Sequence, residues 1–215
     1  MTAGAPASPD TTVDLLARLA TLPDDLLEPN RADAAVLILL RSGAHGVEVL
    51  AEQRTERPSD PWSGHVGLPG GRGNPEDRSM RETVLRELRE EVGILPQEID
   101  GPPRLFDVRR ARPSGLRVAV FAGRLLSTGG GTPNVDPEEV ASTFWFPISA
   151  LLRTEARPRS TVFGEIQVET VPYEGHVVWG FTLRLLRDFD AWLRQPATGG
   201  DARRGQLRRW RSQAL

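Results

Sequence analysis

The chain has 215 residues, no cysteine and a formal net charge of −2. That length bounds it to one domain with extensions or two small ones. The missing cysteines exclude disulfides, thiolate metal sites and a cysteine nucleophile, and the charge argues against a nucleic-acid coat.

Residues 1–12 are small, polar and proline-containing, and read as a disordered N-terminal segment. They lack the basic-then-apolar pattern of a signal peptide. The longest apolar run, residues 34–40, is too short to span a bilayer. The expected compartment is the cytoplasm. Apolar positions 13, 15, 16 and 19 predict a short helix ending near Thr21, opening a domain over 13–196. Residues 33–40 read as a buried strand, and 47–52 as its hairpin partner across SGAHG. The stretch RTERPSDPWSGHVGLPGG, 54–71, reads as an ordered loop or irregular strand. A helix over 79–92 starts at Ser79, with Glu82 at capping-box spacing, and stops at Gly93 before Pro96. Runs 104–110 and 116–126 form a second hairpin around ARPSG, followed by a long Gly/Pro/Asp loop over 127–139. ASTFWFP reads as a strand, ISALL as a helical turn, and 160–163, 165–171 and 176–179 as short edge strands. Residues 182–193 form an amphipathic closing helix, and 197–215 an arginine-rich tail. Strands on both sides of one charged helix, with a second helix at the end, predict an α/β fold, a mixed β-sheet between helices.

The helix over 79–92 carries an unusual burden. Met80, Val84, Leu88 and Val92 make its apolar stripe, while Glu87, Glu90 and Glu91 share a second face. Like charges at these spacings repel, and Arg86, four residues before Glu90, relieves only part of it. Either this is a solvated face with intrahelical ion pairs or a cation removes the repulsion. The upstream Pro69-Gly70-Gly71 favours the cation, because glycine lets bare backbone approach a site. A carbonyl with three carboxylates is an oxygen-only set that suits Mg²⁺ or Mn²⁺. All 27 basic residues are arginine, whose planar fork suits phosphate.

Gly71 to Ile94 resembles the Nudix box, G-x5-E-x7-R-E-U-x-E-E-x-G-U with U apolar. Arg86, Glu87, Leu88, Glu90, Glu91, Gly93 and Ile94 match every specified position of its second half. The first half departs: Asp77 stands where Glu is expected, and eight residues instead of seven separate it from Arg86. A similar expansion marks the coenzyme A pyrophosphatase group, whose upstream signature resembles L-L-T-x-R-[SA]-x3-R-x3-G-x3-F-P-G-G. Gly64 to Gly71 matches its end with Leu68 for Phe, and Arg54-Thr55 resembles its R-[SA]. The Arg54–Gly64 interval is one residue too long, and the second arginine is missing, Arg57 being out of register. In all, the similarity covers about residues 30–195.

The resemblance implies an α/β/α sandwich that hydrolyses a nucleoside diphosphate linked to another moiety, using water and Mg²⁺ or Mn²⁺. By motif position Glu90 and Glu91 would be the principal metal ligands, with a Gly70 or Gly71 carbonyl. Glu87 would be a ligand or general base, and Arg86 would orient the carboxylates. Asp77 would cap the helix or anchor the loop. Glu138 and Glu139 are candidates for a further acid from a distant loop, and Arg54 and Arg72 for substrate phosphate. The implied partner is a small nucleotide-type molecule, with no membrane or nucleic acid, and the chain alone or as a homodimer. Three readings stand: a coenzyme A or acyl-CoA pyrophosphohydrolase, a Nudix hydrolase for ADP-ribose, NADH or nucleotides, and a binding module of the same fold. The retained Glu87, Glu90 and Glu91 weigh against the last.

Overall fold

The structure, a computed structural model, describes residues 15, 17–57, 62–112, 114–126, 135–161 and 164–195. The expected disordered segment 1–12, the tail 197–215 and residues 127–134 of the long loop lie outside these. The first strand, β1 (Ala34–Gly43), turns at residues 44–45 into β2 (Gly46–Arg54), the expected hairpin. β1 is a near-continuous apolar run because both of its faces are covered. Ala35, Leu37 and Leu39 belong to one core cluster, Ile38 and Leu40 to the other.

The site owes its place to a fork. β1 and β2 pair only from Leu40↔Val49 to Gly43↔Gly46 and then part. Two short strands fill the opening: β3 (Val66–Gly67) continues on β2 at Glu52 and Gln53, and β4 (Gly70–Arg72) on β1 at Ala34–Val36. Between them, Pro69 O accepts from Leu37 N–H at 2.9 Å. The segment read from sequence as loop or irregular strand is thus two strand fragments, too short to leave a periodic signal. β5 (Arg104–Arg110) and β6 (Arg117–Arg124) form the second hairpin, with β6 parallel to β1. β7 (Val140–Pro147) pairs antiparallel along β2, and a short 3₁₀ turn, Ile148–Leu152, follows. The seven-stranded sheet is mixed, as expected.

Helix α1 (Met80–Val92) covers one face, packing Met80, Val84, Leu88 and Val92 against Leu37, Leu39, Leu50 and Phe121. Ser79 caps it by accepting from Glu82 N–H at 3.2 Å, while Glu82 accepts from Arg78 N–H at 2.8 Å. Gly93 ends it at φ 69°, a left-handed turn suited to glycine. Helix α2 (Gly180–Arg194), with residues 17–20 also helical, covers the other face, where Phe106, Phe189 and Trp192 pack edge to face or tilted. The result is an α/β/α sandwich. Among the described residues no helix is long and apolar enough to cross a membrane.

The edge strands expected near the end form instead a separate antiparallel sheet, β8 (Glu155–Thr161), β9 (Gly164–Tyr173) and β10 (His176–Trp179). Arg157-Pro158-Arg159 hides β8 from a hydropathy reading, since an outer strand tolerates proline and need bury little. Val171 and Val178 seat this sheet in the α2-side core, and Thr182 Oγ1 donates to Val66 O at 2.9 Å. Phe189 is fully buried at the centre of that layer, whereas Leu152 is 79% exposed. Phe189→Ala is expected to cost about 3–5 kcal/mol in urea unfolding, and Leu152→Ala to stay within about 0.5 kcal/mol of the parent.

Candidate active site

Successive helical residues point about 100° apart, so Glu87, Glu90 and Glu91 of α1 cannot share one surroundings. Glu91 turns inward over the fork. Its side chain is 2% exposed, and Oε2 accepts from Gly70 N–H at 2.8 Å. Gly70 has φ +145°, and a Cβ there would lie 2.1 Å from Ala35 O, so no other residue fits this close approach. Glu87, one turn earlier, lies against Gly71, where a Cβ would meet its Oε1 at 2.5 Å. Glu90 is half exposed, its carboxylate held by Arg86 at 2.9 Å and Arg89 at 3.5 Å.

Glu139 arrives from the turn just before β7. Its turn is clipped to the C-terminal end of α1 by Asp136 N–H donating to Glu91 O at 3.0 Å, and to the end of β2 by Thr55 N–H donating to Glu139 O at 3.0 Å. Carboxylate oxygens of Glu87, Glu91 and Glu139 then all lie within 4.8 Å of one another. The structure therefore brings together three of the acids singled out in the sequence, leaving Glu90 and Glu138 outside that group. Glu138 offers its carbonyl to Arg57.

Arg86 is the organiser. Its Nε and Nη2 donate to both oxygens of Asp77 at 3.1 and 3.0 Å, its Nη1 to Glu87 and Glu90 at 2.9 Å each, and its Nη2 also to Arg72 O at 3.1 Å. Asp77 in turn accepts from Asn74 N–H and Thr83 Oγ1, both at 2.8 Å, which anchors the loop ahead of the helix. The hydrogen bond from Arg86 holds the Asp77 carboxyl down at about 2. Arg54 reaches within 4.0 Å of Glu91, and Arg72 is exposed beside the fork.

One residue of the site escaped the sequence. Glu52, on β2, is 1% exposed and points to the same face as Leu50, toward α1. It lies along Gly67, where an added Cβ would stand 3.7 Å from its Oε1. Burial pushes its carboxyl up, Arg54 opposing and the charges of Glu139 and Glu87 adding to the rise. Burial likewise raises Glu91, then Glu52, and burial raises Glu87 in spite of Arg86. A signal was present: a glutamate in phase with Leu50 on a doubly covered strand must be buried. The strand's partners, however, were not visible.

Three carboxylates converging beside bare glycine backbone, in surroundings that penalise their charge, form an oxygen donor set that fits a hard divalent cation.

The family model for the NUDIX domain matches residues 30–164, a span holding every residue of this group. The chain is 33% identical over 181 residues to the Mitochondrial coenzyme A diphosphatase NUDT8 of Homo sapiens, covering 80% of this chain and 73% of that one. It is 29% identical over 167 residues to the Uncharacterized Nudix hydrolase NudL of Photorhabdus laumondii, covering 76% and 86%. It is 30% identical over 170 residues to Nudix hydrolase 15, mitochondrial, of Arabidopsis thaliana, covering 75% and 58%. The chain thus spans little more than half the length of that plant relative, and 52% of a second, Nudix hydrolase 22, chloroplastic.

The Asp77–Arg86 pair has a pH signature. A depressed carboxyl contributes stability that is full above the ordinary value of 3.8 and is lost as pH falls through about 2. Asp77→Asn should therefore be destabilised by about 1–2 kcal/mol near neutrality, with the gap to the parent closing as pH drops from 4 toward 2. Urea midpoints across that range measure it.

Proposed function

Because the chain belongs to the Nudix family, we propose that it is a metal-dependent pyrophosphohydrolase that cleaves the diphosphate of coenzyme A or acyl-CoA. The products are 4′-phosphopantetheine, or its acyl form, and adenosine 3′,5′-bisphosphate. The observation that carries the reading is the meeting of Glu87, Glu91 and Glu139 within 4.8 Å beside Gly70 and Gly71. The coenzyme A assignment draws on the Gly64–Gly71 match to that group's signature and on the similarity to a protein named a coenzyme A diphosphatase. Placement in the cytoplasm is read from the sequence alone, and two of the relatives are named mitochondrial.

Glu87, Glu91 and Glu139 would hold Mg²⁺ or Mn²⁺, with Glu90 and the Gly71 carbonyl completing the set. Such an ion, when bound, polarises phosphoryl oxygens and lowers the pKa of water. The chain supplies the rest. Arg86, pinned by Asp77, fixes the carboxylates of Glu87 and Glu90. Arg54, beside Glu91, and Arg72, at the edge of the fork, are positioned for the diphosphate and the adenosine 3′-phosphate. The oxygen of a water adds to one phosphorus, the bridging P–O bond breaks, and the second phosphate leaves with its electron pair. Glu87 is the acceptor for the water's proton or a ligand that steadies it.

Two measurements test this. Product analysis by chromatography with coenzyme A, ADP-ribose, NADH, diadenosine polyphosphates and nucleotides, each with Mg²⁺ and Mn²⁺, should show coenzyme A turned over best. An inert coenzyme A beside a hydrolysed ADP-ribose or NADH would transfer the assignment to that substrate. Glu91→Gln and Glu87→Gln should each lower kcat by about 10²–10⁴-fold without loss of fold, with Glu90→Gln changing it in the same direction. Full activity in the first two variants would sink the site.

A further inference from the structure

Glu52 is left over by the mechanism above. It is 1% exposed, and its Oε2 is buried without a hydrogen-bond partner. A buried carboxylate oxygen with nothing to accept from is costly, and native proteins keep few of them. The same face of β2 supplies the comparison. Glu48, two strand positions before Leu50, is also buried, at 3%, but Arg41 binds it at 2.8–2.9 Å. Glu52 has no such cation of its own: Arg54, the nearest guanidinium acting on it, is shared with Glu91.

The direction in which Glu52 points gives the reason. It leaves β2 on the side of the sheet that α1 covers, at the fork, between Gly67 of β3 and Thr143 of β7. Besides that of Arg54, the charges that reach it are those of Glu139, Glu87 and Glu91, the three acids of the cluster. A fourth carboxylate facing three others deepens their repulsion beyond what one guanidinium offsets, unless further positive charge stands among them. Its oxygens are not part of the group that meets within 4.8 Å, so it stands one step further out. Counting back from Arg54, this position falls on the threonine of the L-L-T-x-R signature that the segment resembles.

We propose that Glu52 is a positioning residue of the cation site, its free oxygen accepting a hydrogen bond from a water carried on the divalent ion. The inference rests on the cation site of the proposed function. Outer partners of this kind orient what the ion carries, and their loss weakens metal binding by about 10–100-fold.

Mn²⁺ binding without substrate provides the test, read by calorimetry and by the relaxation rate of water protons on bound Mn²⁺. Glu52→Gln keeps the shape and removes the charge; Glu52→Thr installs the residue of the signature and serves where the amide does not fold. Each should weaken Mn²⁺ binding by about tenfold or more and lower the relaxation enhancement. Metal-free melting temperatures should equal or exceed the parent's, since an unpaired buried charge has been removed. Glu48→Gln should bind Mn²⁺ as the parent does. Parent-like Mn²⁺ affinity in both Glu52 variants, with Glu91→Gln impaired, overturns the role of Glu52 and leaves the proposed function standing. A metal-free melting temperature below the parent's with affinity unchanged makes Glu52 structural and also overturns it. A parent protein that binds no Mn²⁺ overturns both readings together.

Discussion

A carboxylate held out of water against a bare backbone amide is the contact on which this structure turns. For Gly70 N–H to reach Glu91 at 2.8 Å, the helix must lie directly over the place where β1 and β2 part. That demands the apolar stripe from Met80 to Val92 on the neighbouring face. It also demands a residue without a side chain at φ +145°, hard against Ala35 O. Strand fork, helix placement and glycine pair are therefore one requirement seen from three sides. The charge this arrangement buries is destabilising in isolation, and the Gly70 N–H offsets only part of that.

Much of this was legible in the sequence where signals are local. The start of α1 at Ser79 and its end at Gly93 follow from cap chemistry confined to a few residues. The sequence put Glu87, Glu90 and Glu91 on one face; in the structure Glu87 and Glu91, one turn apart, turn to the cluster with Glu139, while Glu90 stays half exposed between Arg86 and Arg89. What stayed hidden depended on pairing between distant segments. Whether Glu52 is buried is decided by β3 and β7 on either side of it, and whether Glu139 reaches the cluster by bonds to Thr55 and Glu91. The runs behind β9 and β10 were legible as strands, but the start of β8, rich in arginine and proline, shows no alternation, and that the three make a sheet of their own is decided by their pairing.

The departures in the first half of the box do not loosen it. Asp77 is one methylene shorter than glutamate and its spacer to Arg86 is one residue longer, yet both of its oxygens meet the guanidinium. Arg86 then divides its remaining donors between Glu87, Glu90 and the Arg72 carbonyl. One cation thus ties the loop before the helix to two turns of the helix itself. Arginine suits this because its donors are fixed in one plane and need little ordering.

The turn that carries Glu139 is held largely through main-chain atoms: Asp136 N–H on Glu91 O, Thr55 N–H on Glu139 O, and Val140 N–H on Asp136 O. Main-chain bonds are indifferent to side-chain identity but not to spacing along the chain. Between Asp136 and Val140, substitutions that spare the Asp136 carboxylate, which accepts from Glu138 N–H at 2.9 Å, can accumulate without moving the acid, whereas one inserted or deleted residue would swing it out of reach. Divergent proteins sharing this arrangement would keep the length of the turn long after its letters had ceased to align.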